Sequence, residues 1–172
     1  MATLDDAAEI AKVHMRSWEV AYRGLIADDY IQDRNAKRPE QFRSMLSGEN
    51  TTHYVILKEE CIVGLLSMGL SRDDDADATR YEVYGIYLHP DYFRQGIGSI
   101  AMAYAFDTAR QLGMKTISLW VLQGNEQAIG FYQKQGFSFD GSTKQVVYGI
   151  EKTVLRMRAS VFPRNPTEFE LK

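Results

Sequence analysis

Two residue types that often build protein sites are scarce in this chain. It has one cysteine, Cys61, and three histidines, His14, His53 and His89, among 172 residues. A single cysteine cannot form an intrachain disulfide or assemble a cysteine-based zinc cluster, and such a chain is typical of a reducing compartment. The three histidines are far apart and show none of the spacings of metal ligands. The sequence therefore predicts neither a metal site nor a covalent cysteine intermediate.

An excess of positive charge and long apolar runs are also absent. The chain has 20 Lys and Arg residues against 23 Asp and Glu, a formal net charge of −3, so it lacks the broad positive field that nucleic-acid binding usually requires. No stretch approaches the roughly 18 apolar residues of a membrane span, and the segment MATLDDAAEI has no signal-peptide pattern. We expect a cytoplasmic protein with no nucleic-acid or membrane partner.

The chain does contain enough apolar sequence for one folded domain. Hydrophobic residues make up 45% of it and charged residues 25%, and the length suits a single core. We expect one domain over residues 1–159. The final stretch, residues 160–172, contains two prolines and is expected to be a loosely held tail.

The first half of the chain predicts two helices and a hairpin. Thr3 and Asp6 form a capping-box pattern before a helical apolar stripe. A second helix is expected to begin near Pro39, because proline suits the first helical turn. The runs THYVILKE and CIVGLLSMGL read as two strands, joined by a short charged turn at Glu59 and Glu60.

The second half predicts alternating strands and helices. The stretch SRDDDADATR is expected to be a solvated loop, after which YEVYGIYL and KTISLWVL form strands and NEQAIGFYQKQG forms a short helix. A further helix lies between the two strands, and this order indicates a parallel pair. Two more strands are expected between Phe137 and Arg158, with their turn near residues 143–145.

The sequence QGIGS at residues 95–99 places two glycines where the helix between those strands begins. A helix N-terminus has about four backbone N–H groups without partners and a partial positive charge, so it can bind an anion. Gly96 and Gly98 would allow a phosphate to approach the backbone closely. The alternative is that they only form a tight turn. The helix is expected to bury a stripe formed by Ile100, Ala101, Tyr104, Ala105 and Leu112.

Two common phosphate motifs do not fit this corner. Walker A requires a lysine after its second glycine, and here Ser99 follows Gly98. Gly96, Gly98 and Ala101 do satisfy the dinucleotide fingerprint G-x-G-x-x-A. In that fold the strand leads almost directly into the first glycine, whereas HPDYFRQ intervenes here, and the next strand lacks the expected acidic end. Chemistry with a nicotinamide cofactor is therefore disfavoured.

Three motifs taken together resemble the GNAT superfamily of acyl-CoA-dependent N-acyltransferases. They are YEVYGIYLHPDYFRQGIG, KTISLWVL and NEQAIGFYQKQGF, and the resemblance covers about residues 3–158. The family's pyrophosphate loop begins with Arg or Gln, where this chain has Phe93. This departure removes a polar side chain from the start of the loop, and the adjacent Arg94 is expected to supply charge to the phosphates.

The resemblance implies an α/β fold with a mixed, mostly antiparallel central sheet. We expect about six or seven strands, one splayed parallel pair and about four flanking helices. Family members usually begin with a strand, and here almost nothing precedes the first helix. Either the sheet lacks that strand, or the tail from about Phe162 to Leu171 covers the exposed edge, in the same subunit or across a homodimer.

The resemblance also implies catalytic roles for two residues. Tyr132 matches the tyrosine that donates a proton to the leaving sulfur of coenzyme A. Glu82 matches a glutamate that some members use as general base for the amine, although it could instead be a solvated carboxylate or a partner of Arg80. Strand alternation predicts that Glu82 shares a face with Tyr84, Ile86 and Leu88.

Acetyl-CoA is the implied co-substrate, and its pantetheine arm is expected to pair with the splayed strand. An N–H near Leu88 is then the expected donor to the thioester oxygen. Asn125 shares a helix face with Tyr132 and also suits an ordinary N-cap. The residues expected to bind acetyl-CoA are Ile86, Tyr87, Leu88, Arg94, Gln95, Gly96, Ile97, Gly98, Ser99, Asn125 and Tyr132. The residues expected to line the acceptor site, with packing as the alternative for each, are Trp18, Tyr22, Arg23 and Tyr30.

The predicted function is transfer of an acetyl group from acetyl-CoA to a primary amine of a small molecule or peptide. The amine attacks directly in a ternary complex, without a metal. A catalytically silent acyl-CoA-binding or regulatory module on the same fold is the alternative. Aromatic residues beside an arginine would suit a small amine that also carries a carboxylate or a ring. Aminoglycosides, polyamines, amino acids and protein N-termini all remain candidate acceptors.

Overall fold

The computed structural model describes residues 1–47 and 52–162, which form one mixed sheet with helices on both faces. The strands are β1 (Thr52–Lys58), β2 (Cys61–Leu70), β3 (Arg80–Leu88), β4 (Thr116–Leu122), β5 (Ser138–Tyr148) and β6 (Ile150–Ser160). The helices are α1 (Ala7–Ala21), α2 (Asp28–Leu46), α3 (Ile97–Gln111) and α4 (Glu126–Lys134). The sheet order is β1-β2-β3-β4-β6-β5. Only β3 and β4 pair in parallel, so within the described residues the predicted mixed α/β architecture is confirmed.

The helices divide between the two faces of the sheet. α1 and α2 pack on one face, where Ile10 and Phe42 meet Leu65 of β2. α3 and α4 pack on the other face, where Met102 and Tyr132 join the largest apolar cluster. None of the helices in the described part of the chain is both long and apolar enough to cross a membrane.

The two N-terminal helices differ in how well the sequence locates them. The predicted capping box precedes α1, since the N–H and Oγ1 of Thr3 donate to Asp6 Oδ2 at 2.7 and 2.9 Å. α2, however, begins at Asp28 and continues through Pro39, so the predicted start is wrong. Pro39 is exposed, and its ring disturbs no packing although the helix loses one backbone hydrogen bond. The buried residues of α2 are Ile31, Arg38 and Phe42.

The buried face of α3 also differs from the predicted stripe. Ile100, Tyr104 and Leu112 are 72%, 47% and 55% exposed. The residues that face the sheet are Ala101, Met102, Ala105 and Ala109. Small side chains on this face let the helix lie close to the sheet. The prediction is wrong for the three large residues, because it assumed that the large apolar side chains would face the sheet, whereas the small ones do so and let the helix approach it closely.

Of the two predicted hairpin turns, the structure contains the first at the predicted residues and the second elsewhere. Glu59 and Glu60 both have positive φ, 51° and 67°, and they form the predicted turn between β1 and β2. The last turn lies at Gly149, which has a φ of 78°, because Tyr148 pairs with Ile150. The predicted turn near residues 143–145 is therefore wrong. The register shifts between residues 139 and 143, so the polar stretch there marks a bulge inside a long strand.

β1 is the edge strand of the sheet in the described part of the chain. The N–H of Ala2 donates to the His53 carbonyl at 2.8 Å, so the residues before α1 add one backbone hydrogen bond to this edge. At the other end of the chain Val161 is fully buried, and packing extends just past residue 159. Of the expected tail, residues 160–172, Ser160 still belongs to β6, and residues 163–172 lie outside the described residues.

The acidic segment before β3 is anchored to the sheet. Asp73 and Asp75 pair with the buried Arg156 of β6 at 3.1 and 2.6 Å, and Asp140 of β5 pairs with the same guanidinium at 2.7 Å. Trp120 Nε1 donates to Asp73 Oδ1 at 2.9 Å. The segment is the predicted loop, and most of residues 71–79 are exposed. The prediction of a solvated side chain is wrong for Asp73, whose side chain is only 10% exposed.

Replacing Arg156 with methionine should destabilise the fold by roughly 3 kcal/mol at neutral pH, because neighbouring carboxylates lose their shared cation in a partly buried site. Hydrogen bonding to Arg156 lowers the pKa of Asp75. A carboxyl group with a lowered pKa stabilises the folded state above its unfolded pKa of about 4, and this contribution is lost as the pH falls. The stability gap between wild type and Arg156→Met should therefore narrow in acid.

Urea unfolding at neutral and at successively more acidic pH measures this gap. The control is Arg158→Met, since Arg158 is 32% exposed and reaches Asp140 only at 3.7 Å. It should cost less than about 1 kcal/mol. Equal losses in the two variants, or a gap independent of pH, would contradict the proposed role of the Arg156 cluster.

Candidate active site

β3 and β4 separate after a short parallel pairing. Residues 80–82 pair with residues 116–118, after which β3 continues along β2 to Leu88 and β4 continues along β6 to Leu122. The N–H of His89 donates to the Val63 carbonyl beside β2. Because N–H groups alternate along a strand, the N–H of Leu88 points into the gap between β3 and β4. The facing strand edges thus carry backbone groups that the sheet does not use.

A cleft of about 600 Å³ opens on the α3 and α4 side of this gap. Most of the residues expected to bind acetyl-CoA line it, namely Ile86, Leu88, Arg94, Gly96, Gly98, Ser99, Asn125 and Tyr132. Gln95 and Ile97 instead line a separate apolar groove, and Gln95 Oε1 accepts a hydrogen bond from Lys58 at 2.9 Å. The side chain of Tyr87 contacts His14 of α1, with the ring centroids 4.1 Å apart.

The glycine corner presents free donors to the cleft. Gly96 is the N-cap of α3 with a φ of 78°, and Arg94 also has a positive φ, 60°. Within residues 1–47 and 52–162, the backbone N–H groups of residues 95–99 donate to no protein acceptor. These donors lie at the positive end of the α3 dipole, so the corner can bind an anion such as a diphosphate.

Gly98 and Ser99 also hold α3 against α4. A Cβ added to Gly98 would come within 3.2 Å of the Phe131 ring, so this glycine allows the close approach of the two helices. Ser99 Oγ accepts a hydrogen bond from Gln135 Nε2 at 3.1 Å. The corner is therefore fixed relative to the helix that carries Asn125 and Tyr132.

Asn125 and Tyr132 lie on α4 at the inner wall of the cleft. Asn125 Oδ1 accepts a hydrogen bond from the N–H of Ala128 at 3.2 Å, which makes it the N-cap of α4. Tyr132 is buried, and burial together with the nearby Tyr87 phenol raises the pKa of Tyr132. The hydroxyl therefore stays protonated at physiological pH, as an acid for a leaving thiolate requires.

A bulge in β3 places Glu82 on the opposite face of the sheet from Ile86. Val83 and Gly85 pair with consecutive residues of β2, so Tyr84 is an extra residue and the alternation shifts by one. Val83 and Ile86 both pack toward α3 and α4, whereas Glu82, between the core residues Tyr81 and Val83, lies on the other face of the sheet. The prediction that Glu82 and Ile86 share a face is wrong, because alternation assumes an unbroken strand.

Glu82 is fixed by Arg72 from the acidic segment. It is 2% exposed, its Oε1 pairs with Arg72 Nη2 at 2.9 Å, and its Oε2 accepts the backbone N–H of Arg72 at 2.9 Å. The Arg72 guanidinium stacks on the Tyr84 ring at 3.7 Å. Arg80, the partner that the sequence offered, pairs with Asp75 at 2.8 Å instead. The carboxylate thus lies on the α1 side of the gap, while Tyr132 lies on the cleft side.

Three of the four expected acceptor residues form one aromatic cluster on the α1 side of the sheet. Trp18 lies edge-on to Tyr22 and to Tyr148 of β5, with centroid distances of 4.8 and 5.7 Å. Tyr30 packs near Tyr148 and donates its hydroxyl to the Val147 carbonyl at 3.2 Å. Arg23 is exposed in the turn after α1, outside this cluster.

Sequence reasoning missed two further residues on this side, His14 and Arg38. Burial, with smaller contributions from Arg38 and Arg34, lowers the pKa of His14 to about 2, so the ring is neutral. The guanidinium carbon of Arg38 lies 4.3 Å from the Trp18 ring centroid. A signal was available for His14, because it precedes Trp18 by four residues on α1 and so lies on the same helix face.

Comparison with known proteins identifies relatives that cover most of the chain. A profile of the Acetyltransferase (GNAT) family matches residues 15–137. The chain is 31% identical to the uncharacterised N-acetyltransferase YuaI of Bacillus subtilis, over 77% of this chain and 75% of that one. It is 19% identical to the spermidine N(1)-acetyltransferase of Thermoplasma acidophilum, over 80% of this chain and 86% of that one.

A solved structure shares the fold. The PaiA N-acetyltransferase of Thermoplasma acidophilum, in complex with coenzyme A, superposes with a TM-score of 0.74 at 19% identity and covers 92% of this chain and 95% of that one. At this level of identity the likeness shows the arrangement of strands and helices.

Gly96→Ala should weaken the binding of coenzyme A, the ligand that the resemblance implies, by about tenfold, because alanine disfavours the left-handed conformation that aims the corner amides. Gly113→Ala is a matched control. Gly113 ends α3 with a φ of 72°, and a Cβ at either glycine meets no neighbour. Both variants should lose about 1 kcal/mol of stability. In calorimetric titration with coenzyme A, only Gly96→Ala should show the loss of affinity. Equal affinities in the two variants would contradict a role for the corner in binding.

Proposed function

The chain belongs to the GNAT acetyltransferase family, and we propose that it transfers an acetyl group from acetyl-CoA to a primary amine of a small molecule or peptide. The amine attacks directly, in a ternary complex. The observation that carries this proposal is the meeting of free corner amides, an unused edge of β3 and protonated Tyr132 at one cleft. All of these groups lie within residues 1–159, which we propose act as one catalytic domain.

The residues of the cleft suit coenzyme A. In this proposal the N–H groups of residues 96–99 bind the diphosphate, and Arg94 adds positive charge from the same wall. The free edge of β3 near Ile86 and Leu88 pairs with the peptide-like arm of the coenzyme. Phe93 offers no polar side chain, so the backbone carries most of the diphosphate contact. When bound, acetyl-CoA supplies the thioester that the amine attacks and the sulfur that leaves.

The Leu88 N–H provides electrostatic support for the transfer. It points into the gap between β3 and β4, where no strand uses it. A donor fixed in this position stabilises negative charge that develops on a carbonyl oxygen during attack. We propose that it donates to the thioester oxygen.

Proton transfers involve one residue on each side of the gap. The amine must be unprotonated to attack, and Glu82 is the proposed base, receiving the proton through water from the acceptor side. As the new C–N bond forms, the C–S bond breaks and Tyr132 donates its proton to the departing sulfur. Arg72 holds the Glu82 carboxylate in place during this exchange.

A thiol-release assay with acetyl-CoA and a panel of amines tests the proposal. At least one amine class should release free coenzyme A with formation of an N-acetyl product. If the protein binds coenzyme A and no amine releases thiol, the catalytically silent module becomes the correct interpretation.

Tyr132→Phe and Glu82→Gln should each lower kcat by about a hundredfold with the best amine, because each removes a proton-transfer group. Affinity for coenzyme A should change little. Tyr104→Phe and Glu151→Gln are the controls, since both residues are exposed and lie outside the cleft lining. Unchanged turnover in Tyr132→Phe and Glu82→Gln would remove both role assignments.

A further inference from the structure

Arg38 is a buried cation without a counter-ion in the described part of the chain. It is 8% exposed on the inner face of α2. Its Nη1 lies 3.4 Å from Gln41 Oε1, a long contact. Its Nε and Nη2 have no hydrogen-bond partner among residues 1–47 and 52–162. A buried guanidinium in this state is costly, and an anion that pairs with it offsets the cost.

The groups around Arg38 leave this positive charge uncompensated. His14 Nδ1 and Trp18 Nε1 are also buried without a protein partner in the same described residues. His14 is neutral, because burial, Arg38 and Arg34 lower its pKa. Burial lowers the pKa of Arg38; the Tyr87 phenol opposes this change, and Arg34 adds to it. Glu19, the carboxylate on the neighbouring helix, is held by Arg16 and Asn35. The local field therefore favours an anionic ligand.

The position of Arg38 is connected to the proposed transfer centre through tyrosines. The Tyr87 ring packs against His14 at 4.1 Å. Burial raises the pKa of Tyr22, and the next causes are the phenols of Tyr87, Tyr148 and Tyr132. Tyr22 packs against Trp18, and its neighbour Ala21 lines the same cleft as Tyr132. Aromatic side chains therefore lie between Tyr132 at the cleft and the Arg38 guanidinium between α1 and α2.

We propose that Arg38 binds the anionic group of the acceptor, and that the acceptor is a small amine bearing a carboxylate, phosphonate or phosphate. The inference rests on the proposed acetyl transfer. The guanidinium can donate two parallel hydrogen bonds to such a group, while Trp18, Tyr22 and Tyr148 line the carbon chain. The amine end then points toward the gap. A polyamine is disfavoured as acceptor because Arg38 and Arg34 both repel a second cationic group. In this respect the chain is expected to differ from the relative that is named a spermidine acetyltransferase.

A purely structural role for Arg38 makes a different prediction. If stacking on Trp18 were its function, removing the guanidinium would loosen the contact between α2 and α1 and lower the melting temperature. If Arg38 instead serves to bind an anion, Arg38→Met replaces an unpaired buried charge with an apolar side chain of similar length. The melting temperature should then be unchanged or higher. Arg38→Gln serves as a second variant that retains polarity.

The experiment compares paired amines that differ in the anionic group. Glycine, β-alanine, γ-aminobutyrate and L-methionine are assayed beside ethanolamine, propanolamine, aminobutanol and methioninol, with aminoalkylphosphonates and spermidine as further arms. Wild-type kcat/KM should favour the anionic member of the best pair by at least about tenfold, in line with a charge-assisted hydrogen bond. The carboxylate and phosphonate arms identify which oxyanion is preferred.

Arg38→Met and Arg38→Gln should reduce that preference by about tenfold or more, mainly through a higher KM for the anionic amine. Because both enzymes are tested on the same two amines, the difference in amine pKa cancels. Arg43→Met is the matched control, since Arg43 is exposed on the same helix, and it should keep the wild-type preference. An unchanged preference in both Arg38 variants, or a wild-type preference for spermidine, would overturn the inference.

A binding measurement separates this inference from the proposed function. Calorimetric titration of the coenzyme A-loaded protein with each amine pair should show tighter binding of the anionic member, lost in Arg38→Met. If that pattern is found while no amine releases thiol, the anion site stands and acetyl transfer fails. If thiol is released equally from anionic and neutral amines, transfer stands and the anion site fails.

Discussion

The separation of β3 from β4 is the constraint on which the site depends. Three residues of each strand pair before the strands follow different neighbours, and the unused edges then face one another. Backbone groups at such an edge need partners, and a peptide-like ligand can provide them as an added strand would. The α3 corner lies at one end of this gap and Tyr132 lies beside it, so the proposed coenzyme recognition and the proposed proton donation share one geometric origin.

The bulge at Tyr84 gives β3 two functional faces. Beyond the bulge Ile86 faces the cleft, whereas Glu82 and Tyr87 lie on the opposite face of the sheet, which carries α1 and α2. In the proposed ternary complex the same strand would contact both substrates from opposite faces of the sheet. The Arg156 cluster supports this arrangement, because it anchors the segment from which Arg72 reaches Glu82.

The features that the sequence predicted are those encoded locally. The capping box at Thr3, the turn at Glu59 and the strand, corner and helix around Gly96 each leave a pattern within a few residues. The buried Arg38, the β3 bulge and the pairing of Asp73 with Arg156 depend on contacts between segments far apart in sequence, which leave no local pattern. Eight of the eleven residues that the family resemblance assigned to acetyl-CoA lie in the cleft lining. The resemblance did not reveal the buried cation Arg38 between α1 and α2, because its burial and its lack of a counter-ion arise from the packing of the two helices.

A crystal structure of the protein with coenzyme A tests the central claim most directly. The account predicts diphosphate oxygens within hydrogen-bonding distance of the N–H groups at residues 96–99, with the pantetheine arm paired to β3 at Ile86 and Leu88 and the sulfur beside Tyr132. Coenzyme bound instead in the groove between Tyr54 and Tyr104, with the corner amides bonded to protein, would contradict it.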